Sequence, residues 1–577
     1  MNNLDNLNKL KKVLIKKNID AYLVPKNDCF FNEFIKTGND RLRYVSNFTG
    51  SAGTALILHK KNYLFVDGRY TLQAKQESGH LFSIIDISKI NISSFLKKNY
   101  TNIKIGFDPN LFRFQAIKNI LKEKINLVSI EKNLIEQIWK DKKKEVSKNA
   151  FILENQYCGI SHIKKIKNLR DLLDINKKNS FFISSNENVC WLLNIRGEDS
   201  IYSPLLNAFA LIQQNKITVF CNLKKVGNKL IKSFKKDVQF SDIKSLKEKL
   251  IRTKIFSVKI DPATTSYGLI KFLQSSKIKC KFIQDPIFHL KSKKNKIEIQ
   301  NLKIAHMFDG VALVKLFFWI NQFKNKKKIN EISCQKQLEN FRKENSFYLG
   351  PSFPPISGFN KNGAIIHYNA TNKTNQLLTG NGIYLLDTGG QYLCGTTDVT
   401  RTISLGKPSL YKKNIYTRIL KGHLALKNFK LKNNTTGAQL DQAARKYLKQ
   451  IGLDYPHSTG HGVGYCLNVH ESPPSISKKS KDKFAVGQVV SNEPGYYLER
   501  QFGMRIENLI YVNKIKKKLL FEDLTLVPYD KNLINKDLLS RLEIKYLNNY
   551  HKEVFEKLNS FLNLKELNFL KKICSPL

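Results

Sequence analysis

The sequence lacks any Cys-x-x-Cys pair: its nine cysteines are spread from Cys29 to Cys574. That spacing excludes a zinc ribbon, and an odd number of distant thiols is not the pattern of a disulfide framework. Scattered, unpaired cysteines are typical of a reducing compartment. We therefore expect a cytoplasmic protein with free thiols.

The sequence also lacks a continuous apolar stretch near the roughly 20 residues that a membrane-spanning helix needs. Residues 1–18 place leucines at helical spacing, at Leu4, Leu7, Leu10 and Leu14, without the continuous apolar core of a signal peptide. Neither a membrane partner nor secretion is expected.

Acidic residues are scarce, with 47 Asp and Glu against 97 Lys and Arg, a net charge of +50. Such an excess would suit nucleic acid or an anionic membrane as a partner. The lysines are scattered along the whole chain, however, whereas a nucleic-acid surface clusters arginine and aromatic residues. No specific nucleic-acid partner is expected. A content of 42% hydrophobic residues excludes general disorder, and 577 residues predict three or four domains.

Two segments of the chain repeat one order of elements. Residues 21–67 and 181–222 each contain a short apolar strand, a turn closing on glycine, and a hairpin of two strands around a polar tip. Helical patterns surround both, so each copy is predicted to be an α/β domain and the two to be duplicates. Charge-dense runs at 140–145 and 291–296 mark the boundaries. The predicted parts are residues 1–142, 143–294, 295–515, and an extension, 516–577, packed on the third part.

The third part is predicted to begin with a long amphipathic helix from Lys294 to about Phe323. Its buried face should consist largely of Ile297, Ile299, Leu302, Ala305, Met307, Val311, Val314 and Leu316. Alternating strands and glycine-rich turns follow to about Val512.

Two aspartates lie on opposite arms of a predicted hairpin. Tyr384–Tyr392 is an apolar strand running into a Gly-Gly turn, and Thr396–Ser404 is a second strand rich in β-branched residues. Asp387 and Asp398 could converge across this pair of strands. Buried carboxylates need a compensating charge, which makes the two positions candidate ligands.

Histidine and glutamate follow in glycine-rich surroundings. Three of the eleven histidines fall in residues 457–471, and glycines flank His461, where backbone could approach a ligand closely. Glu493 precedes a turn, and residues 502–512 are predicted to form a strand. In that strand Arg505 and Glu507 share one face.

Two Asp, one His and two Glu make an oxygen-rich ligand set with one imidazole. Such a set suits Mn, Co or Zn and argues against copper or an iron–sulfur cluster. Two divalent ions bridged by carboxylates would lower the pKa of a water molecule and polarise a carbonyl, as peptide hydrolysis requires.

These residues and their neighbours resemble the pita-bread metallopeptidases, and within them the three-domain cytosolic aminopeptidase P (Xaa-Pro aminopeptidase) branch. The similarity rests on the strings LLDTGGQYLCGTTDVTRT, STGHGVG, NEPGYY and MRIEN, and extends to RYVSNFTGSAG, VDGRYTLQA, WLLNIRGEDSIYSPL and LTLVPYD. It implies an α/β fold with two duplicated creatinase-like N-terminal domains, followed by a catalytic pita-bread domain.

The resemblance also implies a metal site for two divalent ions, with manganese as our choice. Asp387 and Asp398 would bind one ion, Asp398, His461 and Glu493 the other, and Glu507 would join Asp398 in bridging them. Arg505 would hold ligand carboxylates from outside the metal site.

By the same resemblance the activity would be removal of the first residue from peptides with proline in second place. A hydroxide bridging the two ions would attack the carbonyl, and Glu493 would take and return the proton. His367 and His470 would be the substrate-side histidines, Arg69 would reach the site or a partner subunit, and the protein would be a homodimer.

Two other functions stay open at this point. A prolidase, which cleaves only Xaa-Pro dipeptides, shares the fold, although its usual relatives have one creatinase-like domain instead of two. A non-catalytic pita-bread module that binds histones, RNA or ribosomes would suit the charge of +50, but such relatives resemble the fold with metal ligands replaced. Creatinase-like enzymes work without metal and lack this ligand set.

Overall fold

The computed structural model describes residues 3–142, 149–234, 237–323 and 328–577. Contacts within the chain divide it into two units, one formed by residues 1–153 and 160–287, the other by residues 154–159 and 288–577. The first predicted domain boundary, between residues 142 and 143, adjoins residues 143–148, which lie outside the described residues.

The strands are short and mostly buried. Those of the first unit are β1 Ala21–Pro25, β2 Thr54–Leu58, β3 Asn62–Val66, β4 Ser83–Asp86, β5 Ile105–Phe107, β6 Leu127–Ser129, β7 Phe151–Ile152, β8 Asn179–Ile183, β9 Ile195–Arg196, β10 Ala208–Ile212, β11 Ile217–Cys221, β12 Val238–Asp242, β13 Ser257–Ile260 and β14 Lys279–Phe282. Those of the second unit are β15 Tyr348–Pro351, β16 Ile356–Phe359, β17 Gly382–Thr388, β18 Gly390–Tyr392, β19 Gly395–Thr396, β20 Val399–Leu405, β21 Gly460–Gly462, β22 Glu471–Ile476, β23 Val489–Asn492, β24 Gly495–Leu498, β25 Phe502–Arg505, β26 Asn508–Ile515 and β27 Lys518–Asp523.

The helices range from single turns to a 28-residue element. In chain order they are α1 Asn3–Lys16, α2 Arg41–Ser46, α3 Thr71–Ser78, α4 Ile92–Asn99, α5 Phe114–Leu121, α6 Leu134–Ile138, α7 Asn155–Cys158, α8 His162–Leu172, α9 Asn186–Leu193, α10 Asn228–Lys232, α11 Leu246–Arg252, α12 Tyr267–Ser275, α13 Ile287–Ser292, α14 Lys296–Phe323, α15 Glu331–Lys343, α16 Leu410–Lys427, α17 Gly437–Lys449, α18 Arg541–Leu558 and α19 Leu564–Ile573.

The first unit contains one sheet architecture twice. Its two six-stranded sheets have the orders β4-β3-β2-β1-β5-β6 and β12-β11-β10-β8-β13-β14, which correspond strand by strand. The pairing directions agree as well: the central strands β1 and β8 each pair antiparallel on one side and parallel on the other. The predicted duplication is therefore confirmed at the level of topology.

The second unit is organised around α14. Asn295 caps this helix, because its Oδ1 accepts from the backbone N–H groups of Ile297 and Glu298 while Glu298 accepts from the backbone of Asn295. The predicted helix is confirmed, and its predicted buried face is confirmed in part, since Leu302, Ala305, Val314 and Leu316 are buried. Ile297 is exposed, and the polar His306 and Asp309 are buried. A helix covered on several sides does not show a single apolar stripe, so periodicity alone misplaces its buried face.

Length and composition alone would also allow α14 to cross a membrane. Asp309 and Lys315 interrupt its apolar sequence, and 56% of its most apolar stretch is buried inside the structure. In this structure α14 is a core helix of the second unit.

Two lysines of the charge-dense run at 291–296, which marks a predicted domain boundary, lie in the interior. Lys291 and Lys294 are buried, and both donate to the carboxylate of Glu471 at the start of β22. A buried carboxylate between two ammonium groups is compensated, whereas each charge alone would be costly to bury. Lys291 and Lys294 are therefore part of the core of the second unit, whereas Lys293 and Lys296 of the same run are exposed.

The C-terminal helices α18 and α19 pack within this unit. Leu547, Val554 and Leu558 of α18 are fully buried and share a core with Val314 of α14. The opposite face of α18 is open, with Leu542 80% exposed.

We predict that Leu558→Ala lowers the free energy of unfolding of the second unit by about 2–5 kcal/mol, because it leaves a cavity against α14. Leu542→Ala in the same helix should change it by less than about 0.5 kcal/mol. Urea unfolding can be followed in a Trp139→Phe/Trp191→Phe background, where Trp319 of α14 is the remaining tryptophan. Equal effects of the two leucine variants would contradict the packing described.

Candidate metal centre

The two predicted aspartates lie on one antiparallel pair of strands. β17 pairs with β20 so that Asp387 opposes Thr400 and Thr388 opposes Val399, and β18 pairs with β19 at the tip. Asp387 belongs to β17 and Asp398 directly precedes β20. Both are buried. The predicted hairpin is confirmed, and it carries both carboxylates into the interior of the second unit.

His461 and Glu493 come from neighbouring strands of the five-stranded sheet β22-β21-β23-β26-β27. His461 lies on β21, and Glu493 follows β23 directly. Ser491 connects them, since its Oγ accepts from the backbone N–H of His461 and donates to Glu493 Oε1 over 3.0 Å. A Cβ at Gly460 would meet Ser491 O at 2.0 Å, so this approach requires glycine.

Glu507 lies at a break between strands. Residues 502–512 do not form the single strand predicted, because β25 ends at Arg505 and β26, in a different sheet, begins at Asn508. The predicted proximity of Arg505 and Glu507 is nevertheless observed. Thr400 Oγ1 accepts from Arg505 Nε over 3.1 Å and donates to Glu507 Oε2 over 2.7 Å.

These residues form one cluster. His461 Nε2 lies 3.5 Å from Asp398 Oδ2 and 3.5 Å from Glu493 Oε1. Asp398, His461 and Glu507 each place a ligand atom within 4.8 Å of the others. Arg505 donates to Asp387 Oδ2, while Asp387 Oδ1 is buried with no hydrogen-bond partner among the described residues. Carboxylate oxygens around one imidazole, with a buried oxygen left unpaired, fit divalent cations.

The pKa values of the cluster residues also favour a site for cations. Burial, followed by the neighbouring carboxylates, raises the pKa of Asp398 and of Glu507 well above the usual range. Burial likewise raises the pKa of Glu493 to about 7, although Arg505 opposes the shift. Burial and His470 lower the pKa of His461 to about 3, which keeps its imidazole neutral as a metal ligand must be. The protein therefore concentrates negative charge that a cation would stabilise.

The two predicted substrate-side histidines lie in different surroundings. The ring of His470 meets that of His461 edge to face, with centroids 4.4 Å apart, and His470 is exposed. His367 is half-buried in the turn after the 3₁₀ helix Asn360–Ala364. That 3₁₀ helix packs against β17, β24 and β25.

Glu331, which sequence reasoning did not single out, holds the segment that carries His367. Its buried carboxylate accepts from the backbone N–H groups of Phe359 and Gln376 and from the side chains of Asn362 and Tyr368. Burial raises the pKa of Glu331, and these hydrogen bonds oppose the shift. Nothing in the local sequence distinguishes this glutamate from a surface residue at the start of a helix.

His457 and Tyr497 are two further residues at the cluster. His457 Nδ1 lies 3.9 Å from Glu493 Oε2, and His457 Nε2 lies 2.8 Å from Tyr497 Oη. Tyr497 Oη also accepts from Arg505 Nη1. Their positions could have been noticed, because His457 precedes His461 by four residues and Tyr497 follows Glu493 by four.

Arg69 belongs to the first unit. There its guanidinium donates to both carboxylate oxygens of Asp67, over 2.9 and 2.8 Å, and this pairing raises its pKa despite burial. Arg69 is thus paired with Asp67, just after the end of β3. Its binding to the substrate or to a partner subunit stays a prediction.

Comparison with known families accounts for nearly the whole chain. Metallopeptidase family M24 matches residues 300–514, and the C-terminal region of peptidase M24 matches residues 517–577. Creatinase/prolidase N-terminal domains match residues 6–138 and 141–298. The predicted fold class, two creatinase-like domains followed by a pita-bread domain, is confirmed.

Individual relatives match over their full lengths. An uncharacterized peptidase of Schizosaccharomyces pombe is 35% identical over 99% of both chains. Xaa-Pro aminopeptidase 1 of Dictyostelium discoideum is 34% identical over 99% of this chain and 96% of its own.

Solved structures cover this chain to different extents. An X-prolyl aminopeptidase from Caenorhabditis elegans, described as a cytosolic enzyme with a di-nuclear active site, superposes with a TM-score of 0.93 at 29% identity and covers 100% of both chains. A prolidase from Pyrococcus horikoshii covers 64% of this chain with a TM-score of 0.51 at 23% identity, a likeness of fold alone.

The raised pKa of Glu493 determines how the free energy of unfolding of the metal-free protein depends on pH. Because the pKa of Glu493 rises from 4.5 to about 7 on folding, the folded protein retains a proton that the unfolded chain releases. The contribution of this group to the free energy of unfolding therefore decreases as the pH rises through that interval.

We predict that Glu507→Gln stabilises the metal-free protein at pH 8, by on the order of 1 kcal/mol or more, because it removes a carboxyl group that the folded protein must either bury as an anion beside other carboxylates or keep protonated. The amide oxygen can still accept from Thr400. Glu331→Gln is the matched control: it should destabilise by about 1–3 kcal/mol, because its amide N–H would face donors. Thermal unfolding in the presence of a metal chelator measures the stability of both variants. A loss of stability in Glu507→Gln would contradict the claim that the Glu507 carboxyl group destabilises the metal-free protein.

Proposed function

Because the chain belongs to metallopeptidase family M24, we propose that it is a metal-dependent Xaa-Pro aminopeptidase that removes the first residue from peptides with proline in second position. The resemblance seen in the sequence is confirmed at the level of this family. The observation that carries the proposal is the cluster in which Asp398, His461 and Glu507 place ligand atoms within 4.8 Å. Full-length similarity to X-prolyl aminopeptidases supports the same activity.

The proposed metal site holds two divalent ions, with manganese as our choice. Asp387 and Asp398 would hold one ion, Asp398, His461 and Glu493 the other, and Glu507 would bridge them together with Asp398. The unpaired buried oxygen of Asp387 supports this assignment. When bound, the ions supply Lewis acidity and a water molecule acidic enough to act as nucleophile at neutral pH.

The chain's own residues would handle the proton and the substrate. Glu493, which has His457 for a neighbour, would take a proton from water and return it to the leaving nitrogen. His470 and His367 would position the scissile carbonyl and the proline. Arg505 orients the carboxylate of Asp387 and, through Thr400, that of Glu507.

Two alternatives are less well supported. A prolidase is less well supported because relatives that match nearly the whole chain at 33–34% identity are named Xaa-Pro aminopeptidases, and the X-prolyl aminopeptidase from Caenorhabditis elegans covers 100% of it. A non-catalytic binding module would have no need of five metal-binding side chains, and a buried cluster of uncompensated carboxylates would only destabilise it.

The setting of the enzyme is also a proposal. We place it in the cytoplasm as a homodimer, with no membrane or specific nucleic-acid partner. Residues 1–142, 143–294, 295–515 and 516–577 remain the proposed domain boundaries.

We predict that the Mn²⁺-loaded protein releases arginine from Arg-Pro-Pro, that metal-free protein does not, and that N-acetylated Arg-Pro-Pro is resistant. Asp398→Ala/Glu507→Ala should abolish the activity, because these are two of the five side chains that would hold the ions. The matched control is Glu499→Ala/Asp537→Ala, two exposed acidic residues of the same unit, which should retain wild-type rates. Chromatographic detection of free arginine measures each case.

Cleavage of Arg-Pro but not of Arg-Pro-Pro would identify a prolidase instead. If Mn²⁺-loaded protein cleaves neither peptide, the proposed activity is wrong and the binding module becomes the function to pursue.

A further inference from the structure

A buried ion pair lies behind the hairpin that carries Asp387 and Asp398. Asp309 of α14 and Arg342 of α15 are 3% and 2% exposed, and Arg342 Nε donates to Asp309 Oδ1 over 2.7 Å. Arg342 Nη2 donates to Asp309 Oδ2, and Tyr392 Oη donates to Asp309 Oδ1. The pair is thus both neutralised and hydrogen-bonded, the condition under which buried charges are tolerated.

The Asp309–Arg342 pair also forms hydrogen bonds with the two threonines next to the predicted ligands. Arg342 Nη1 donates to Thr388 Oγ1 over 2.7 Å, and Thr397 Oγ1 donates to Asp309 Oδ2 over 3.0 Å. Thr388 follows Asp387, and Thr397 precedes Asp398. Within β17 neighbouring side chains point to opposite faces, so Thr388 lies against the helices while Asp387 faces the cluster. Thr397 and Asp398 lie between β19 and β20, and Thr397 is placed against α14 by its hydrogen bond to Asp309.

The position of Thr397 is further restricted. Its Oγ1 also accepts from the backbone N–H of Gly390, and its carbonyl accepts from Ser352 Oγ. A Cβ at Gly389 would meet Thr397 O at 2.0 Å, so the two arms of the hairpin are in direct contact here. Movement of Thr397 would therefore move Asp398 relative to Asp387.

We propose that Asp309 and Arg342 are positioning residues of the metal site, which act through Thr388 and Thr397 to set the separation of the Asp387 and Asp398 carboxylates. This inference rests on the proposed two-ion site and adds the device that preorganises it. The hydrogen-bond partners of ligand residues commonly change metal affinity by about 10- to 100-fold when removed. Here the partners act on the residues adjoining the ligands.

A purely structural ion pair would make a different prediction. It would contribute to the stability of the second unit, and its loss would change metal binding no more than any equally destabilising substitution. The two roles are therefore separated by metal affinity and by the ligand geometry of the bound ion, measured beside stability.

The test is a titration of metal-free protein with Co²⁺, followed by its visible absorption, which reports the geometry of the ligands. Asp309 and Arg342 stay in place, because removing either would leave a buried charge unpaired. The variant Thr388→Val/Thr397→Val instead removes both hydroxyls at nearly constant volume. We expect its Co²⁺ affinity to fall by about 10-fold or more, with an altered absorption spectrum.

Two controls accompany the variant. Thr388→Ser/Thr397→Ser keeps both hydroxyls and should restore wild-type affinity and spectrum. Thr417→Val removes the hydroxyl of another fully buried threonine, which bonds the backbone of Lys413 in α16, and should leave both unchanged. Thermal unfolding of all variants monitors their stability.

Unchanged Co²⁺ affinity and spectrum in the double valine variant would overturn the inference, as would an equal loss in Thr417→Val. If the double valine variant does not fold, the serine variant decides. Weaker Co²⁺ binding by the serine variant than by the wild type would then overturn the inference, and equal binding would support it. A wild-type protein that binds no Co²⁺ would overturn both the proposed two-ion site and this inference. Wild-type Co²⁺ binding that the double valine variant shares would overturn this inference alone.

Discussion

Repulsion among buried carboxylates is the constraint on which the rest of this structure depends. Asp387, Asp398, Glu493 and Glu507 lie around one neutral imidazole, and Arg505 provides their positive partner within the cluster. Two like charges 4 Å apart repel by about 4 kcal/mol at the effective dielectric constant of a protein near its surface. Metal-free protein offsets part of this cost with protons, as the raised pKa values of Asp398 and Glu507 indicate, and bound cations would offset it instead. Ion binding and the stability of the second unit are therefore linked.

The architecture opposes this repulsion with rigid, heavily hydrogen-bonded strands. The two aspartates share a single antiparallel hairpin, His461 and Glu493 are tied through Ser491, and Glu507 is tied through Thr400. Other buried charges of the unit, the Asp309–Arg342 pair and the Lys291–Glu471–Lys294 group, are compensated within the protein. In the cluster, by comparison, four carboxylates share one arginine, Arg505, and these are the carboxylates expected to bind metal.

Much of the fold and of the cluster could be predicted from the sequence. The hairpin around Gly389 and Gly390, the helix from Lys296 and the duplicated sheets each have a local signal: alternation, amphipathic periodicity or an ordered repeat. The five cluster residues stand out because acidic residues and histidines are scarce here and these occur beside glycines or β-branched residues.

What could not be predicted depends on tertiary contacts. The break between Arg505 and Asn508 has no proline or glycine to mark it, since two sheets exchange partners there. Lys291 and Lys294 look like a solvated run because Glu471, which neutralises them, lies far away in the sequence. The support given by Glu331 to the segment of His367 is likewise visible only in three dimensions.

The central claim, that these carboxylates exist to hold two cations, is tested most directly by counting ions. Native mass spectrometry of the metal-free protein after addition of Mn²⁺ should show two ions per chain in the wild type, and neither ion held tightly in Asp398→Ala, because that carboxylate is assigned to both. A wild-type chain that binds no Mn²⁺, or an Asp398→Ala chain that still binds two ions, would contradict the account.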